Sequence, residues 1–282
     1  MSTERRPRRE ADELSPDETP APGGVGETLA QRLGRCIERL EDPSLQPAWV
    51  VHEVRKDLKR TRALLRLCGE VLPTRRLEKR CGAAGRQLAP LRDADAAGET
   101  VARLRLRADA RQLEALEAVA QWFARRHATL AGAPGLARPI AMAVAGELRG
   151  VARDVQALPF ERVDAAALDA GLADAWAETA NAFRHVAAKP VLPRFHDFRK
   201  AVKRELHQRE LSGRPPDRME RATLKKLADV LGELQDLDVL RDTLRAAGRW
   251  RGPVRGLVRQ TISELKARAI RLGDGRYRDN SR

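Results

Sequence analysis

The chain has 282 residues, with 54 Lys+Arg against 40 Asp+Glu and a formal charge of +14. That balance implies a polyanionic partner or an anionic surface, without choosing between them. Aromatic residues are only 4% of the chain, with a single Tyr, so platforms for stacking the bases of single-stranded nucleic acid are scarce.

Abundant Ala, Leu, Arg and Glu, with no β-branched or aromatic clusters, predict an all-α protein. Cys36, Cys68 and Cys81 form no CxxC or Cys/His cluster and read as buried free thiols in a reducing compartment. The opening MSTERRPRREADELSPDE is charged and lacks the apolar core of a secretory signal. The longest apolar patch, around residues 140–145, is too short to cross a bilayer. A cytoplasmic protein without membrane contact is the expectation.

Residues 1–24 carry Pro7, Pro16, Pro20 and Pro22 and few large apolar side chains, and read as a disordered tail. Leu29, Leu33, Cys36, Ile37 and Leu40 recur at helical spacing over 27–40, and Asp42-Pro43 stops that helix. A second helix starts near Pro47 and ends by Gly69 or Pro73; a third covers about 74–88. LRDAD, residues 91–95, reads as the acidic start of a fourth helix through about Arg107, with Asp93 or Asp95 as its cap. A helix over about 109–130 presents Leu113, Leu116, Val119, Ala120 and Phe123 as its core face, and the GAPG turn at 132–135 breaks it. Further helices follow over about 139–158 and 165–186. Trp49, Trp122, Trp176 and Trp250 read as core residues.

The second helix carries the most information. On a helical wheel, Arg62, Arg55, Arg66, Lys59, His52, Ala63 and Lys56 fall within an arc of roughly 120°. Val51, Leu58, Leu65, Val54 and Thr61 occupy the opposing face, and Glu53 and Asp57 lie outside the basic stripe. A merely solvated helix would mix its charges for i,i+4 pairing. The pattern VHEVRKDLKRTRA at 51–63 then returns as FHDFRKAVKRELH at 195–207. There Arg199, Lys203, His196, His207 and Lys200 form the stripe, opposite Phe195, Phe198 and Val202. Each copy has a later acidic pair, Asp93/Asp95 in LRDAD and Asp236/Asp238 in LQDLDVL, where Gln235 replaces Arg92. The spacing indicates an internal duplication into two helical bundles.

Two copies of HxxRKxxKR, each followed by an RDxD-type segment in a highly charged all-α chain, resemble the CHAD domain, the conserved histidine α-helical domain. The resemblance covers about residues 25–275. It implies two four-helix bundles related by pseudo-twofold symmetry around a basic central cavity that binds inorganic polyphosphate, and targeting to polyphosphate granules. It further implies that His52, Arg55, Lys56, Lys59 and Arg60, with His196, Arg199, Lys200, Lys203 and Arg204, face the ligand or support residues that do. Gln235 breaks the RDxD form, so any ligand role for Arg92 has no mirror there. The expected organisation is a first repeat at about 25–131, a connecting helix at about 138–158, a second repeat at about 164–273 and a tail from 276.

The chemistry suits that ligand. Cations at i, i+3/i+4 and i+7 recur about every 5.4 Å along one helix face. Arg binds phosphate oxygens bidentately and Lys serves as an adaptable point charge. Arg62, Arg66 and His207 extend the stripes. Arg76 and Lys79, with Lys225 and Lys226, could line the same trough from the third helix of each bundle, or form solvated faces. His52 and His196 read either as imidazoles protonated beside phosphate or as neutral groups positioning their neighbours. Asp93, Asp95, Asp236 and Asp238 read as caps or salt-bridge partners rather than acids for metal-assisted phosphoryl transfer. No cofactor and no metal are expected. A phosphoanhydride enzyme is the alternative, opposed by the lack of a GxxxxGK[ST] loop or an ExExK strand. A general nucleic-acid or polyanion binder is a third reading, with no recognised DNA or RNA motif to support it.

Overall fold

The computed structural model describes residues 24–88, 93–131 and 137–278. The expected N-terminal tail (apart from Gly24), the GAPG turn, Arg92, the last four residues and the side chains of Asp93 and Asp95 lie outside the described residues. Ten α-helices and no strand occur among the described residues: α1 (Gly24–Glu41), α2 (Pro47–Leu67), α3 (Arg75–Gln87), α4 (Asp93–Arg105), α5 (Ala110–Ala131), α6 (Ala137–Gln156), α7 (Ala165–Ala188), α8 (Leu192–Leu211), α9 (Arg218–Ala246) and α10 (Gly252–Tyr277).

Local chemistry sets these boundaries. Pro occupies the first turn of α2, α8 and α10, where a missing N–H loses no helical bond. Asp164 and Asp217 cap α7 and α9 by accepting from the backbone N–H groups of Ala167 at 2.8 Å and Glu220 at 2.7 Å. Gly248, at φ +67°, turns the chain just past the end of α9, a conformation that side chains with a Cβ resist.

The buried apolar residues form two clusters. Leu29, Leu33 and Cys36 of α1, Val54, Leu58 and Leu65 of α2, Leu77 and Cys81 of α3, and Val144, Leu148 and Val151 of α6 make the first. The second draws on α7 to α10, through Phe183, Phe198, Leu231 and Val258, and on Val101, Leu104, Leu116 and Phe123 of α4 and α5. The packing of α6 on α1 and α3, and of α4 on α9 and α5 on α10, gives the same division. Residues 25–131 thus supply helices to both clusters. The helix expected to connect two repeats is the fourth helix of the first cluster.

Some expectations need correction. Asp236 and Asp238 do not start a helix; they lie inside α9, which runs unbroken for 29 residues. In the first copy Pro90 follows closely on the end of α3, whereas nothing in LGELQDLDVL interrupts the hydrogen-bond ladder. Leu113 is 41% exposed and not part of the core face of α5. Trp49 is also exposed, with the Arg39 guanidinium 5.5 Å over its ring, while Trp122, Trp176 and Trp250 pack at the edge of the second cluster. All three cysteines are buried and free. Burial pushes the Cys68 and Cys81 thiols up to about 12, so they stay protonated and inert.

Candidate functional site: two basic helices in contact

The two motif helices, α2 and α8, pack against each other. At their contact Ala63 is buried, and the Gln208 Nε2 amide donates to its carbonyl at 2.9 Å. A small residue here lets two helices bearing long cationic side chains approach closely.

Each helix is pinned from behind by a buried carboxylate. Asp57 of α2, 2% exposed, accepts from Arg32 and Arg39 of α1 at 2.7 Å each. Glu205 of α8 accepts from Arg276 Nη2 at 2.6 Å and from the Tyr277 hydroxyl at 2.8 Å, both on α10. Burial and the nearby Glu205 carboxylate raise the Tyr277 pKa, so the phenol stays a donor. Neither carboxylate belongs to the basic stripe. Both fix the rotation of their helix and so the direction of that stripe.

Three arginines of the stripes meet acids that neither motif helix supplies. Arg62 pairs with Glu78 of α3 at 3.2 Å, and its guanidinium lies over Gly82, where an added Cβ would come within 3.3 Å of Nε. Arg66 of α2 and Arg204 of α8 both bind the carboxylate of Glu178 on α7. Burial and Arg66 depress the Arg204 pKa, with Glu178 and Glu78 opposing. Arg199 is similarly depressed by burial and is offset only by Asp236. Its buried Nε has no hydrogen-bond partner among the described residues. Both guanidiniums stay charged; Arg204 is paired with Glu178, whereas the lost hydration of Arg199 is incompletely replaced, which favours an anionic ligand there.

The acidic segment of α9 supports these groups. Asp236 accepts from Arg103 of α4 at 2.7 Å and lies close to Arg199. Gln235 receives a hydrogen bond from His196 Nδ1 at its Oε1. The residue that departs from the RDxD form is therefore the one that orients the motif histidine. Burial raises the Asp238 pKa, with Asp242 adding to the effect, while Arg241, His196 and Lys266 oppose it.

The remaining predicted residues divide by position. His52 and Lys56 are part-exposed, near Glu53 at 3.7 and 3.5 Å; Lys200 is exposed and pairs with Asp197 at 3.2 Å. Lys59 is exposed, and Arg55 and Lys203 are half-buried. Arg60 is buried rather than solvent-facing, near Arg32 and His207. His207 is no cationic member of the stripe near neutral pH: burial depresses its pKa, and Arg60 and Lys203 depress it further against Glu210. Glu210, 3.7 Å from His207 Nδ1, is itself held by Arg221 of α9 at 3.2 Å. Arg76, Lys79 and Lys226 are exposed and Lys225 half-buried on α3 and α9; no ion pair ties any of them to α2 or α8 among the described residues. Glu78 and Glu178 are not recognisable as site residues from the sequence, because only the packing of α3 and α7 makes them neighbours of the stripes, and Glu205, within the second motif, gains its partners only from the packing of α10. No group of three or more His, Cys, Asp or Glu is placed to hold a metal among the described residues.

Among curated proteins, no sequence matches this chain. The crystal structure of the CHAD domain from the plant Ricinus communis is similar, with a TM-score of 0.53 and 21% identity over 92% of this chain and 93% of that one. At that identity the likeness concerns the fold. The CHAD domain family profile matches residues 26–245, which include both motif helices and the acidic segments that follow them. The chain belongs to the CHAD domain family.

Proposed function

We propose that the chain binds inorganic polyphosphate, without catalysis, along the α2–α8 contact, and associates through it with polyphosphate granules in the cytoplasm. The observation that carries this reading is the packing of the two HxxRKxxKR helices on one another, tied by Gln208 and Ala63 at 2.9 Å. Cations separated by the length of a repeat thereby serve one ligand. A polyphosphate chain presents regularly spaced anions and no bases, and the stripes offer regularly spaced cations and few aromatic rings. Arg199, partly stripped of water and with a buried Nε that has no hydrogen-bond partner among the described residues, gains from phosphate oxygens.

The test is a competition titration. Labelled long-chain polyphosphate is bound to the full chain and challenged with RNA, DNA and heparin at two salt concentrations. Polyphosphate should outcompete the others at physiological salt. Equal displacement by all three would reduce the site to a general polyanion surface. Incubation with polyphosphate and Mg²⁺ should release no phosphate; steady release would make the protein an enzyme instead.

A further inference from the structure

Away from the α2–α8 contact, a cavity of about 340 Å³ opens beside the start of α8, between the end of α9 and α10. Arg241 and Arg245 line it from α9, and Arg255, Arg259 and Lys266 from α10. Each arginine pair is spaced i,i+4, so its members share a face and lie about 6 Å apart along the axis. Leu192, Trp250 and Ile262 contribute an apolar wall, and no carboxylate is among the lining residues.

The cations here are partly occupied, in ways that leave room for an anion. Arg241 is held by Asp238 at 2.6 Å and Asp242 at 2.7 Å, both outside the cavity lining. Arg245 lies 5.6 Å over the Trp250 ring. Lys266 donates to the Pro190 carbonyl at 3.0 Å, leaving two of its three N–H groups. Arg255 and Arg259 are exposed at the mouth. Partial burial and the neighbouring Arg241 depress the Lys266 pKa, and the charge of a bound anion would oppose that depression.

We propose that this cavity is a second ligand site, for a nucleotide carrying two or three phosphates. The phosphates lie between the arginine pairs of α9 and α10, and the base packs on Trp250, Leu192 and Ile262. The volume falls at the lower end of small-molecule pockets. A bare phosphate chain would leave the apolar wall unused, whereas a nucleotide matches both halves of the lining. The site is independent of polyphosphate binding on α2 and α8, because none of its lining residues belongs to either basic stripe.

The test is calorimetric titration of the full chain with ATP, tripolyphosphate and adenosine. It is repeated on R255E/R259E, W250A and the stripe variant K59E/K203E, each checked for helical content. With the stripes disabled by K59E/K203E, ATP should bind once per chain and more tightly than tripolyphosphate. R255E/R259E should weaken ATP by about tenfold or more, the scale of one lost charge-assisted contact. W250A should narrow the gap between ATP and tripolyphosphate, and K59E/K203E should leave ATP binding in place. The proposal is overturned if ATP and tripolyphosphate bind alike and W250A changes neither, or if ATP binding disappears only in K59E/K203E. Loss of long-chain polyphosphate binding in K59E/K203E, with ATP retained, keeps the two sites distinguishable.

Discussion

Arg66 and Arg204, one from each copy of the motif, are bound by the same carboxylate, that of Glu178 on α7. The contact ties the two stripes together and also occupies two of their cations. A phosphate chain entering here competes with Glu178. In the variant E178Q the carboxylate charge is removed while an oxygen of similar shape stays. Because the pair is about two-fifths exposed, its charge is well screened. Affinity for polyphosphate should rise about two- to fivefold, the range of an exposed ion pair. Titration of E178Q beside wild type checks this; unchanged affinity would place the ligand away from Arg66 and Arg204.

Lys59 and Lys203 occupy matching motif positions and point away from both apolar clusters. The double reversal K59E/K203E should weaken polyphosphate binding at least tenfold and flatten its dependence on salt. Stability should change by no more than about 0.5 kcal/mol for the exposed Lys59, as for surface substitutions generally, and by more for the half-buried Lys203. Titrations at two ionic strengths, paired with urea unfolding, separate the two effects.

Asp57 holds two arginines while nearly excluded from water. D57N leaves the Arg32 guanidinium buried against a neutral amide. Removal of one partner from a buried pair costs about 3–5 kcal/mol. Urea unfolding of D57N should show that loss, and a change below 1 kcal/mol would mean that Asp57 does not anchor α2.

His207 introduces a pH dependence with a definite sign. Its folded pKa lies below the usual 6.5 because burial and the neighbouring Arg60 and Lys203 disfavour the charged ring. Below pH 6.5 the unfolded chain takes up a proton that the folded chain refuses, so stability falls as the pH drops from about 7 toward 5. The variant H207Q should be flatter over that window. Glu210, depressed below its usual range by His207 and Arg221 despite burial, adds a separate loss below about pH 4.5. Unfolding free energies at stepped pH values check both windows.

Glycines of similar helical context should respond in opposite directions. A Cβ at Gly171 of α7 would lie 2.7 Å from the Leu67 carbonyl oxygen at the end of α2, whereas one at Gly146 meets nothing within 4 Å. G171A should destabilise by about 1–3 kcal/mol through overpacking. G146A should stabilise by up to about 1 kcal/mol through helix propensity. Thermal melts of the two variants decide the matter.

The basic stripes were legible in the sequence because they rest on a periodicity local to one helix. Val54, Leu58 and Leu65 are buried in the first cluster, opposite the cations, as the wheel requires. The second copy of the motif was legible for the same reason. What the stripes touch was not, since Glu78 of α3 and Glu178 of α7 reach α2 and α8 through packing that no local period encodes. Asp57 could be placed outside the basic face, but its two arginine partners are on a different helix. Gln235 looked like a broken motif, and only the pairing of α8 with α9 makes it the hydrogen-bond partner of His196. The continuity of α9 is legible in the absence of a proline near Asp236, where the first acidic segment has Pro90 just before it.

The exchange of α4 and α5 into the second cluster, with α6 returning to the first, has a consequence for how this chain can be inherited and engineered. The polypeptide crosses between the clusters three times, before α4, before α6 and before α7. A cut at residue 131 would strip α6 from Leu29, Leu33 and Cys36 and leave Leu116 and Phe123 without the helices that cover them. Neither half can then be borrowed as a self-sufficient module, even though each carries a complete copy of the motif. An isolated single-repeat fragment, stripped of part of its cluster, should emerge as an aggregating chain.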